Sequence, residues 1–348
     1  MSEFARVAAR VTPLDQAAMD EARARQLDLT KPPGSLGHLE AVGERLAGIA
    51  GECPPPVPEP AAVAVFAGDH GVVAEGVTPW PQDVTAQMVA NFLAGGAAVN
   101  VLAAQVGASV SVVDVGVAGE LGDSPGLLAA NVRSGTRDLA EGPAMTEKEA
   151  RAALDVGVEV ANRLIDDGAR CLLTGDMGIG NTTPSAALVA VFTGRPVVEV
   201  TGRGTGIDDA MLDVKVKVVE RAMERLGSGR EPLEVLAEVG GLEIAALAGF
   251  VTAGAAARVP VIVDGVVACA ALLAASALVP GVEDHCIAGH RSVEPASSAA
   301  LEHLGLRPLI DLDLRLGEGT GACLALPLVQ AAARILGNMA TFGEAGIG

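Results

Sequence analysis

The chain has 348 residues, more than twice a typical domain length, so we expect one large domain with an extra lobe. Half of the residues are apolar but only 2% are aromatic, so the core must be packed from small and aliphatic side chains, and fibrous and disordered classes are excluded. The formal charge of −19 repels nucleic acid and anionic membrane surfaces, so we predict neither as a partner.

The first part of the chain is predicted to be helical. Apolar residues recur there at spacings of three and four in segments 5–9, 14–27 and 39–49, which is typical of helices with one buried face. The Pro-rich segment 53-CPPPVPEP-60 follows, and it cannot continue a helix or form a central strand. We therefore predict a boundary at this segment.

From residue 61 onward, short apolar runs alternate with helical patterns. The runs that predict strands are 61–68, 108–117, 170–176, 259–265, 285–292 and 308–316. The predicted helices are 84–104, 147–164, 184–192, an Ala-rich helix after 265, and helices that start at Glu294 and Thr320. This alternation indicates a mostly parallel α/β sheet with helices on both faces. In such sheets ligands bind beyond the carboxyl ends of the strands.

One apolar stretch, 265–282, has no charge and reaches about the length of a membrane-spanning helix. Ala rather than Leu dominates it, it contains Ser276 and Pro280, and two acidic residues follow it directly. We therefore predict a buried helix in place of a membrane span.

The Gly-rich segment 175-GDMGIGNTTPS-185 follows a predicted strand and opens a helix. Glycine leaves backbone N–H groups accessible, and Asn181, Thr182 and Thr183 add polar side chains at the helix start. Together these groups form an anion cradle that suits phosphate. A tight turn with an ordinary helix cap is the alternative interpretation.

A second glycine cluster, 202-GRGTGIDD-209, favours binding over a purely structural turn. Lys215 and Lys217 follow it in a chain where lysine is rare, and a lysine near glycine turns suits phosphate. The alternative for these lysines is a solvated helix face.

The segment 317-GEGTGA-322 matches a dinucleotide-binding fingerprint, but too few residues follow it for the strand that would hold a ribose. Glu318 instead stands between two glycines at the end of a predicted strand, among apolar neighbours. Such surroundings raise the pKa of a carboxyl group and make it a better base at neutral pH. An exposed loop glutamate is the alternative.

Other candidate groups are weaker. Asp69 with His70, or His285 with Cys286 and His290, could bind a metal, but no tetrahedral ligand spacing recurs, so we predict no metal. Asp264 ends a predicted strand, where it could orient substrate or, as we favour, cap the next helix.

The cysteines predict a reducing compartment. They are odd in number, widely spread and without a C-x-x-C pair: Cys53, Cys171, Cys269, Cys286 and Cys323. The first residues, MSEFARVAARVTPLDQ, have no continuous apolar core of the kind that signal peptides carry. We therefore expect a cytoplasmic protein.

Seven motifs in order resemble those of the nicotinate-nucleotide:dimethylbenzimidazole phosphoribosyltransferase family, and the match runs nearly end to end. They are 31-KPPGSLGHLE-40, 68-GDHGVVAEGVTPWPQDVTAQMVANFLAGGAAVN-100, 175-GDMGIGNTT-183, 202-GRGTGIDD-209, 261-VIVDG-265, 289-GHRSVEP-295 and 317-GEGTGA-322. The resemblance implies transfer of phosphoribosyl from nicotinate mononucleotide to 5,6-dimethylbenzimidazole in cobalamin nucleotide-loop assembly, with α-ribazole 5′-phosphate and nicotinate as products and no cofactor. It also implies a homodimer whose subunit has a Rossmann-like domain, residues 51–325, and a small helical domain from both termini, residues 1–50 and 326–348.

The resemblance further implies roles for single residues. Glu318 would be the general base. The phosphate and ribose would be bound by Gly175, Asp176, Gly178, Gly180, Asn181, Thr182, Lys215, Gly317 and Gly319. Thr78, Trp80 and Gln87, within 77–87, would line the benzimidazole pocket, and Asp69, His70 and Asp264 would support the site. Two places depart from the family pattern: Asp176 stands where Glu is usual, and Thr78 and Trp80 stand where smaller or different residues are common.

The expected reaction needs a single base, because the pyridinium nitrogen of the donor is already cationic and nicotinate leaves without protonation. One benzimidazole nitrogen attacks the anomeric carbon from the face opposite nicotinate, while Glu318 takes the proton from the other nitrogen. A related enzyme with another acceptor, such as adenine, another benzimidazole or a phenol, is one alternative function. A non-catalytic nucleotide-binding protein is another.

Overall fold

A parallel β-sheet forms the centre of the molecule in the computed structural model, which describes residues 2–122 and 124–347. Within those ranges the sheet has six strands in the order β3-β2-β1-β4-β5-β6, and each strand runs parallel to its neighbours. The strands are β1 (Ala61–Gly68), β2 (Ser109–Gly116), β3 (Leu127–Ala129), β4 (Cys171–Met177), β5 (Val261–Val263) and β6 (Cys286–Ala288). The strand order reverses between β1 and β4, and the loops that diverge there open a crevice at the carboxyl ends.

Helices cover both faces of the sheet, as the continuous apolar strands predicted. In chain order they are α1 (Glu3–Ala8), α2 (Gln16–Asp28), α3 (His38–Ala50), α4 (Val84–Leu93), α5 (Ala98–Val106), α6 (Glu147–Asp166), α7 (Thr182–Thr193), α8 (Val197–Val200), α9 (Asp209–Leu226), α10 (Pro232–Val239), α11 (Leu242–Ala256), α12 (Val266–Leu278), α13 (Pro295–His303), α14 (Thr320–Asn338) and α15 (Phe342–Ala345). Ala64 and Phe66 of β1 face a core built with α6, α11 and α12, whereas Val63 and Val65 face a core built with α5 and α14. The predicted α/β class with a mostly parallel sheet is confirmed.

Two predicted elements are wrong. The helix predicted over 84–104 is two helices, α4 and α5, because the Gly95-Gly96 pair between them breaks the helix and Gly95 has φ +77°. The strand predicted over 308–316 makes only an isolated parallel bridge between Ile310 and His290. Asp313 interrupts its extended backbone with φ +55°.

The sequence patterns also missed elements that the structure contains. No strand was predicted at β3, and no helices were predicted at α8, α10, α11 and α15. A helix at α9 was considered only as the alternative for Lys215 and Lys217. Every residue of α11 from Leu242 to Ala255 is buried. A helix that is apolar all round has no polar stripe, so its period of 3.6 residues is hidden in the sequence.

The apolar stretch 265–282 contains the 13-residue buried helix α12, as predicted. Among the described residues, two segments are long and apolar enough to pass a test for a membrane span, Val84–Val106 and Thr320–Asn338. The first is divided by the glycine break between α4 and α5. The second is α14, which packs on the sheet through Ala322, Leu326 and Val329.

The two ends of the chain meet beside the sheet. Ala22 of α2, Ala47 of α3 and Leu336 of α14 form a small apolar cluster, and Thr30 N–H donates to the carbonyl of Ala340 over 3.0 Å. The first helix lies elsewhere, since Phe4 of α1 is in the core that contains α6 and α11. The division into residues 1–50 with 326–348 and residues 51–325 stays a prediction.

Helices α6 and α11 approach each other so closely that their backbones touch. A Cβ atom on Gly157 would lie 1.8 Å from the carbonyl oxygen of Ala246, and one on Gly249 would lie 2.0 Å from that of Leu154. Both atoms belong to backbone, so neither can move aside as a side chain would. The small residues on these helices are therefore a packing requirement of this core.

We expect Gly249→Ala to lower the free energy of unfolding by about 1–3 kcal/mol or more, because the added methyl forces the two helices apart. Gly337→Ala in α14 is the matched control, because its Cβ would have an ordinary 3.8 Å contact with Pro54. Urea denaturation measures both changes. Equal stabilities of the two variants would contradict the close helix contact.

Candidate functional site

A cleft opens at the carboxyl ends of β4, β5 and β6, and its volume is about 700 Å³ when the space at its open mouth is included. The predicted site residues that line it are Thr78, Trp80, Asp176, Gly178, Gly180, Asn181, Thr182, Lys215 and Gly317. These residues come from four separate parts of the sequence. The fold therefore joins the predicted phosphate turn to the turn that carries Glu318.

The turn between β4 and α7 is built for close backbone contact. A Cβ atom on Gly178 would lie 2.3 Å from the carbonyl oxygen of Gly68, and Gly180 has φ +88°. Asn181 precedes α7 but does not cap it; its amide instead donates to Asp176 Oδ2 over 2.9 Å. The side chain of Asn181 therefore does not provide an ordinary helix cap. The start of α7 faces the cleft.

Lys215 joins the two glycine-rich segments. Its side chain is buried, and its ammonium donates to Thr182 Oγ1 over 2.7 Å and to the carbonyl of Gly202 over 3.0 Å. Burial lowers the pKa of Lys215 to about 8, although the nearby Glu294 carboxylate acts in the opposite direction. An anion bound at the turn would favour the charged ammonium. Lys217, one of the two predicted lysines, is exposed on the other side of α9.

Asp176 lies in the wall of the cleft beside Gly317. Burial raises its pKa well above the ordinary value, and the charges of Asp264, Glu243 and Glu318 raise it further. The environment therefore favours the protonated, neutral carboxyl group at this point of the cleft.

Glu318 is held in a turn with left-handed backbone. Gly317, Glu318 and Gly319 have φ values of +81°, +64° and +97°, a conformation that costs energy for a residue with a side chain. The Glu318 side chain is buried, and its Oε2 accepts from Val99 N–H over 3.4 Å. Burial raises the pKa of Glu318, as the sequence predicted, and the Asp264 charge raises it further. The hydrogen bond from Val99 N–H acts in the opposite direction. Gly317 lines the cleft, whereas Glu318, the next residue in the turn, is not among the residues that line it.

Asp264 fixes this turn from the end of β5. Its Oδ2 accepts from Gly319 N–H over 3.1 Å and its Oδ1 accepts from Ala322 N–H over 2.9 Å. Asp264 therefore caps α14, not the helix that follows it in sequence, because its carboxylate points across to the start of α14. The Glu318 turn also packs on β4, since a Cβ atom on Gly175 would lie 2.5 Å from the Glu318 carbonyl oxygen.

Asp69 and His70 lie beneath the cleft. His70 Nε2 is 2.8 Å from Glu243 Oε1, and Asp69 Oδ2 accepts from Ala118 N–H over 2.8 Å. Burial alone would lower the pKa of His70, but the Glu243 carboxylate outweighs it and the pKa is raised. The His70 ring also lies against Gly178, so this buried pair supports the phosphate turn from behind.

The remaining histidine candidates do not form a metal-ligand set with their sequence neighbours. His285 bonds the carbonyl of Thr12, while His290 Nε2 lies 3.6 Å from Asp264 Oδ1. Among the described residues, three acidic side chains that could share an ion do lie together, Glu75, Asp138 and Glu141, but Arg221 already pairs with Glu75.

Gln87 was predicted to line the benzimidazole pocket, but it is exposed on α4 and does not line the cleft.

Several residues that line the cleft were not predicted as site residues. They include Arg203, Thr205, Ser292, Glu294 and Arg315. Most of them lie in segments 202–209 and 289–295. The first segment is a glycine cluster and the second follows a strand, and these two features could have identified the residues from the sequence. Arg315 was hidden in the segment predicted as a strand.

Comparisons with known proteins agree on one family. A family model described as phosphoribosyltransferase matches residues 11–347. A relative from Salinispora tropica is 57% identical, with 98% of each chain covered, and one from Chloroflexus aggregans is 53% identical over 100% of this chain and 98% of its own. Both are named nicotinate-nucleotide:dimethylbenzimidazole phosphoribosyltransferase.

The fold is also similar to a solved structure. The crystal structure of CobT from Thermus thermophilus has a TM-score of 0.93 and 54% sequence identity to this chain, and the match covers 95% of this chain and 99% of that one. The motifs, the sheet topology and these full-length matches agree with one another. The chain belongs to the nicotinate-nucleotide:dimethylbenzimidazole phosphoribosyltransferase family.

Proposed function

We propose that this enzyme transfers phosphoribosyl from nicotinate mononucleotide to 5,6-dimethylbenzimidazole, giving α-ribazole 5′-phosphate and nicotinate in cobalamin nucleotide-loop assembly. The observation that carries the proposal is the direct backbone contact between Gly175 and Glu318. The proposed phosphate turn thus lies against the turn that carries a buried carboxyl group, and this proximity supports the proposal. The names of the full-length relatives support the same reaction.

The donor phosphate is proposed to bind at the start of α7. Gly178, Gly180 and Thr182 bring backbone and hydroxyl groups to the cleft, and the positive end of the helix dipole points there. Lys215 supplies the charge from below, because its ammonium is already positioned on Thr182 Oγ1. Gly175 and Gly319 lie behind the wall, where their lack of a side chain lets the two turns pack together.

The chemical step is a displacement at the anomeric carbon. A benzimidazole nitrogen forms the new bond to that carbon while the bond to the pyridinium nitrogen breaks, and the electron pair of that bond neutralises the nicotinate ring. Glu318 accepts the proton from the other benzimidazole nitrogen. Its raised pKa makes it a stronger base than an exposed glutamate, which suits general-base catalysis near neutral pH.

The acceptor is proposed to enter between the Thr78 and Trp80 segment and the start of α5. Glu318 contacts Val99 N–H on that side of the loop, and Thr78 and Trp80 line the adjoining cleft. Trp80 is half exposed, so its ring is available to stack on a flat base. Gln87 lies on the next helix and would reach the acceptor only from the rim.

The homodimer and the cytoplasmic location that the resemblance implies are also proposed for this chain. All five cysteines are free thiols and four of them are buried, which supports a reducing compartment. Light scattering on the purified protein measures the mass in solution and tests the dimer.

The decisive experiment is incubation of the purified protein with both substrates, followed by chromatographic detection of α-ribazole 5′-phosphate. Parallel incubations with adenine, another benzimidazole and a phenol identify the preferred acceptor. Donor binding without any product would overturn the proposal in favour of a non-catalytic nucleotide-binding protein.

We expect Glu318→Gln to lower turnover by about 10²- to 10⁴-fold, because the amide cannot accept the proton. Donor binding should persist. In the parent enzyme kcat/KM should fall as pH drops through a midpoint above the ordinary value of 4.5, since the Glu318 pKa is raised and only the ionised form acts as base.

Steady-state kinetics over a range of pH measures both effects. Glu120→Gln, in an exposed loop, is the control and should behave as the parent enzyme. An unchanged acid limb in Glu318→Gln would assign the limb to another group.

We expect Lys215→Met to raise the donor KM by about 10- to 100-fold, because a charge-assisted contact to phosphate is lost. In the parent enzyme kcat/KM should also fall as pH rises through about 8, where Lys215 loses its proton. That basic limb should be absent in Lys215→Met. Lys217→Met removes a nearby but exposed ammonium, so its kinetics should match the parent enzyme; a similar loss in both variants would refute the specific role of Lys215.

A further inference from the structure

A buried carboxylate lies beside the proposed phosphate site. Glu294 directly precedes α13, is 5% exposed and lines the cleft. Lys215, Thr182 and Gly204 line the same cleft. A carboxylate in this place repels an incoming phosphate, because like charges repel more strongly away from water. Its presence therefore calls for an explanation in its contacts.

Glu294 and Lys215 hold one glycine-rich segment from two sides. Glu294 Oε1 accepts from Gly204 N–H over 2.7 Å, and the Lys215 ammonium donates to the Gly202 carbonyl over 3.0 Å. The same ammonium donates to Thr182 Oγ1 over 2.7 Å, at the start of α7. The carboxylate, the glycine segment, the ammonium and the start of α7 therefore follow one another along the wall of the cleft.

The two glycines of this segment let the charged groups approach it closely. A Cβ atom on Gly202 would lie 2.2 Å from Glu294 Oε2. One on Gly204 would lie 3.0 Å from Thr182 Oγ1 and 3.7 Å from the ammonium nitrogen of Lys215. A side chain at position 202 could not coexist with the carboxylate where it stands. The segment and Glu294 therefore fit one another.

The charge of Glu294 also acts on Lys215. Burial lowers the pKa of the Lys215 ammonium to about 8, and the Glu294 carboxylate raises it. Without this carboxylate the ammonium would lose its proton at a lower pH. Near neutral pH, a larger share of the protein would then present a neutral amine to the phosphate.

The other titratable groups around Lys215 are exposed, paired or favoured in the neutral form. The sequence of α7 contains none. Burial raises the pKa of Asp176, which favours its neutral carboxyl group, and Arg315 donates to the Gly204 carbonyl over 3.4 Å. The remaining groups on α8, α9, α10, α13 and the adjoining loops are ion pairs or exposed side chains: Arg203 with Asp209, Arg221 with Glu75, Arg230 with Glu234, Arg225 with Glu238, Arg195 with Glu302, and the exposed Glu199, Asp208, Asp213, Lys217, Glu220, Glu224 and His303.

We propose that Glu294 is a positioning residue for the donor phosphate: its carboxylate fixes the segment 202–204 against α7 and keeps the Lys215 ammonium charged before phosphate binds. The inference rests on the proposed function, which places the donor phosphate at the start of α7. Once phosphate is bound, its own charge holds the proton on Lys215. Glu294 therefore acts on the free protein, in which it prepares the cation that the phosphate meets.

The test measures the affinity for ribose 5-phosphate by calorimetry from about pH 6 to about pH 9 in the parent protein and in Glu294→Gln. The amide oxygen of Gln can still accept from Gly204 N–H, so this variant removes the charge and keeps the acceptor. At about pH 6 the ammonium is charged in both proteins, and the variant should bind as tightly as the parent or more tightly, because a repelling charge is gone. At about pH 8.5 it should bind about tenfold more weakly, because Lys215 has lost its proton in a larger share of the variant.

The ratio of the two affinities at each pH removes the titration of the ligand itself, whose phosphate has a second pKa of about 6. A purely structural role of Glu294 would weaken binding by the same factor at every pH. That uniform loss would overturn the inference.

Asp213→Asn is the matched control, because Asp213 lies on the same helix as Lys215 but is exposed to solvent. The variant undergoes the same change of charge as Glu294→Gln. Its affinity should follow that of the parent protein over the whole pH range, since water screens the charge. A pH shift as large as that of Glu294→Gln would attribute the effect to net charge and refute the specific role of Glu294.

A double variant, Lys215→Met with Glu294→Gln, covers the case in which Glu294→Gln alone does not fold. It removes both buried charges, which is less damaging than leaving one of them without its partner. The double variant should bind ribose 5-phosphate no more weakly than Lys215→Met at any pH, because the charge of Glu294 has no ammonium left to act on. A further pH-dependent loss in the double variant would contradict the proposal.

These binding measurements do not depend on turnover. If no α-ribazole 5′-phosphate forms but ribose 5-phosphate shows the expected pH dependence, the proposed function fails and the role of Glu294 stands. If the product forms but Glu294→Gln loses affinity uniformly, the proposed function stands and the inference fails.

Discussion

The hydrogen bonds from Asp264 to the start of α14 connect the sheet to the chemistry of the site. Asp264 ends β5, and its two oxygens accept from Gly319 and Ala322. Hydrogen bonds to an ionised acceptor are roughly twice as strong as neutral ones. These bonds hold Glu318 in a left-handed conformation that an unrestrained chain would rarely adopt. The same carboxylate lies 3.6 Å from His290 Nε2, so Asp264 borders both the Glu318 turn and the part of the cleft wall that contains His290.

The site also concentrates buried carboxyl groups that influence one another. The charges of Asp264, Glu243 and Glu318 raise the pKa of Asp176, and Asp264 raises that of Glu318. Burial raises the pKa of Asp264 as well, so the two groups differ in their contacts: Asp264 accepts two backbone N–H groups, whereas Glu318 has one long contact to Val99. The contacts therefore distinguish a carboxyl group that holds the turn from one whose oxygens are nearly without partners.

Much of the fold could be predicted from the sequence because its strands are continuous apolar runs closed by glycine. The phosphate turn and the Glu318 turn were predicted for the same reason, since Gly178, Gly180, Gly317 and Gly319 mark close contacts and left-handed backbone. The partners of these turns could not be predicted. Asp264 caps a helix more than fifty residues away in sequence, and only the strand order brings β5 to α14. The buried helix α11 and the position of His290 in the cleft wall depend on tertiary packing in the same way. The apolar run 308–316 was predicted as a strand, but Asp313 interrupts its extended backbone.

The contact between distant segments of the chain has a consequence for the order of events in folding. Thr30 and the cluster of α2 and α3 contact Ala340 and Leu336, which lie far from them along the sequence. Contacts at large sequence separation close a long loop and cost more chain entropy than local contacts, so they form later. Helix α2 can therefore pack on α3 early, because the two are neighbours in sequence, whereas the joining of this pair to the end of α14 is a late step.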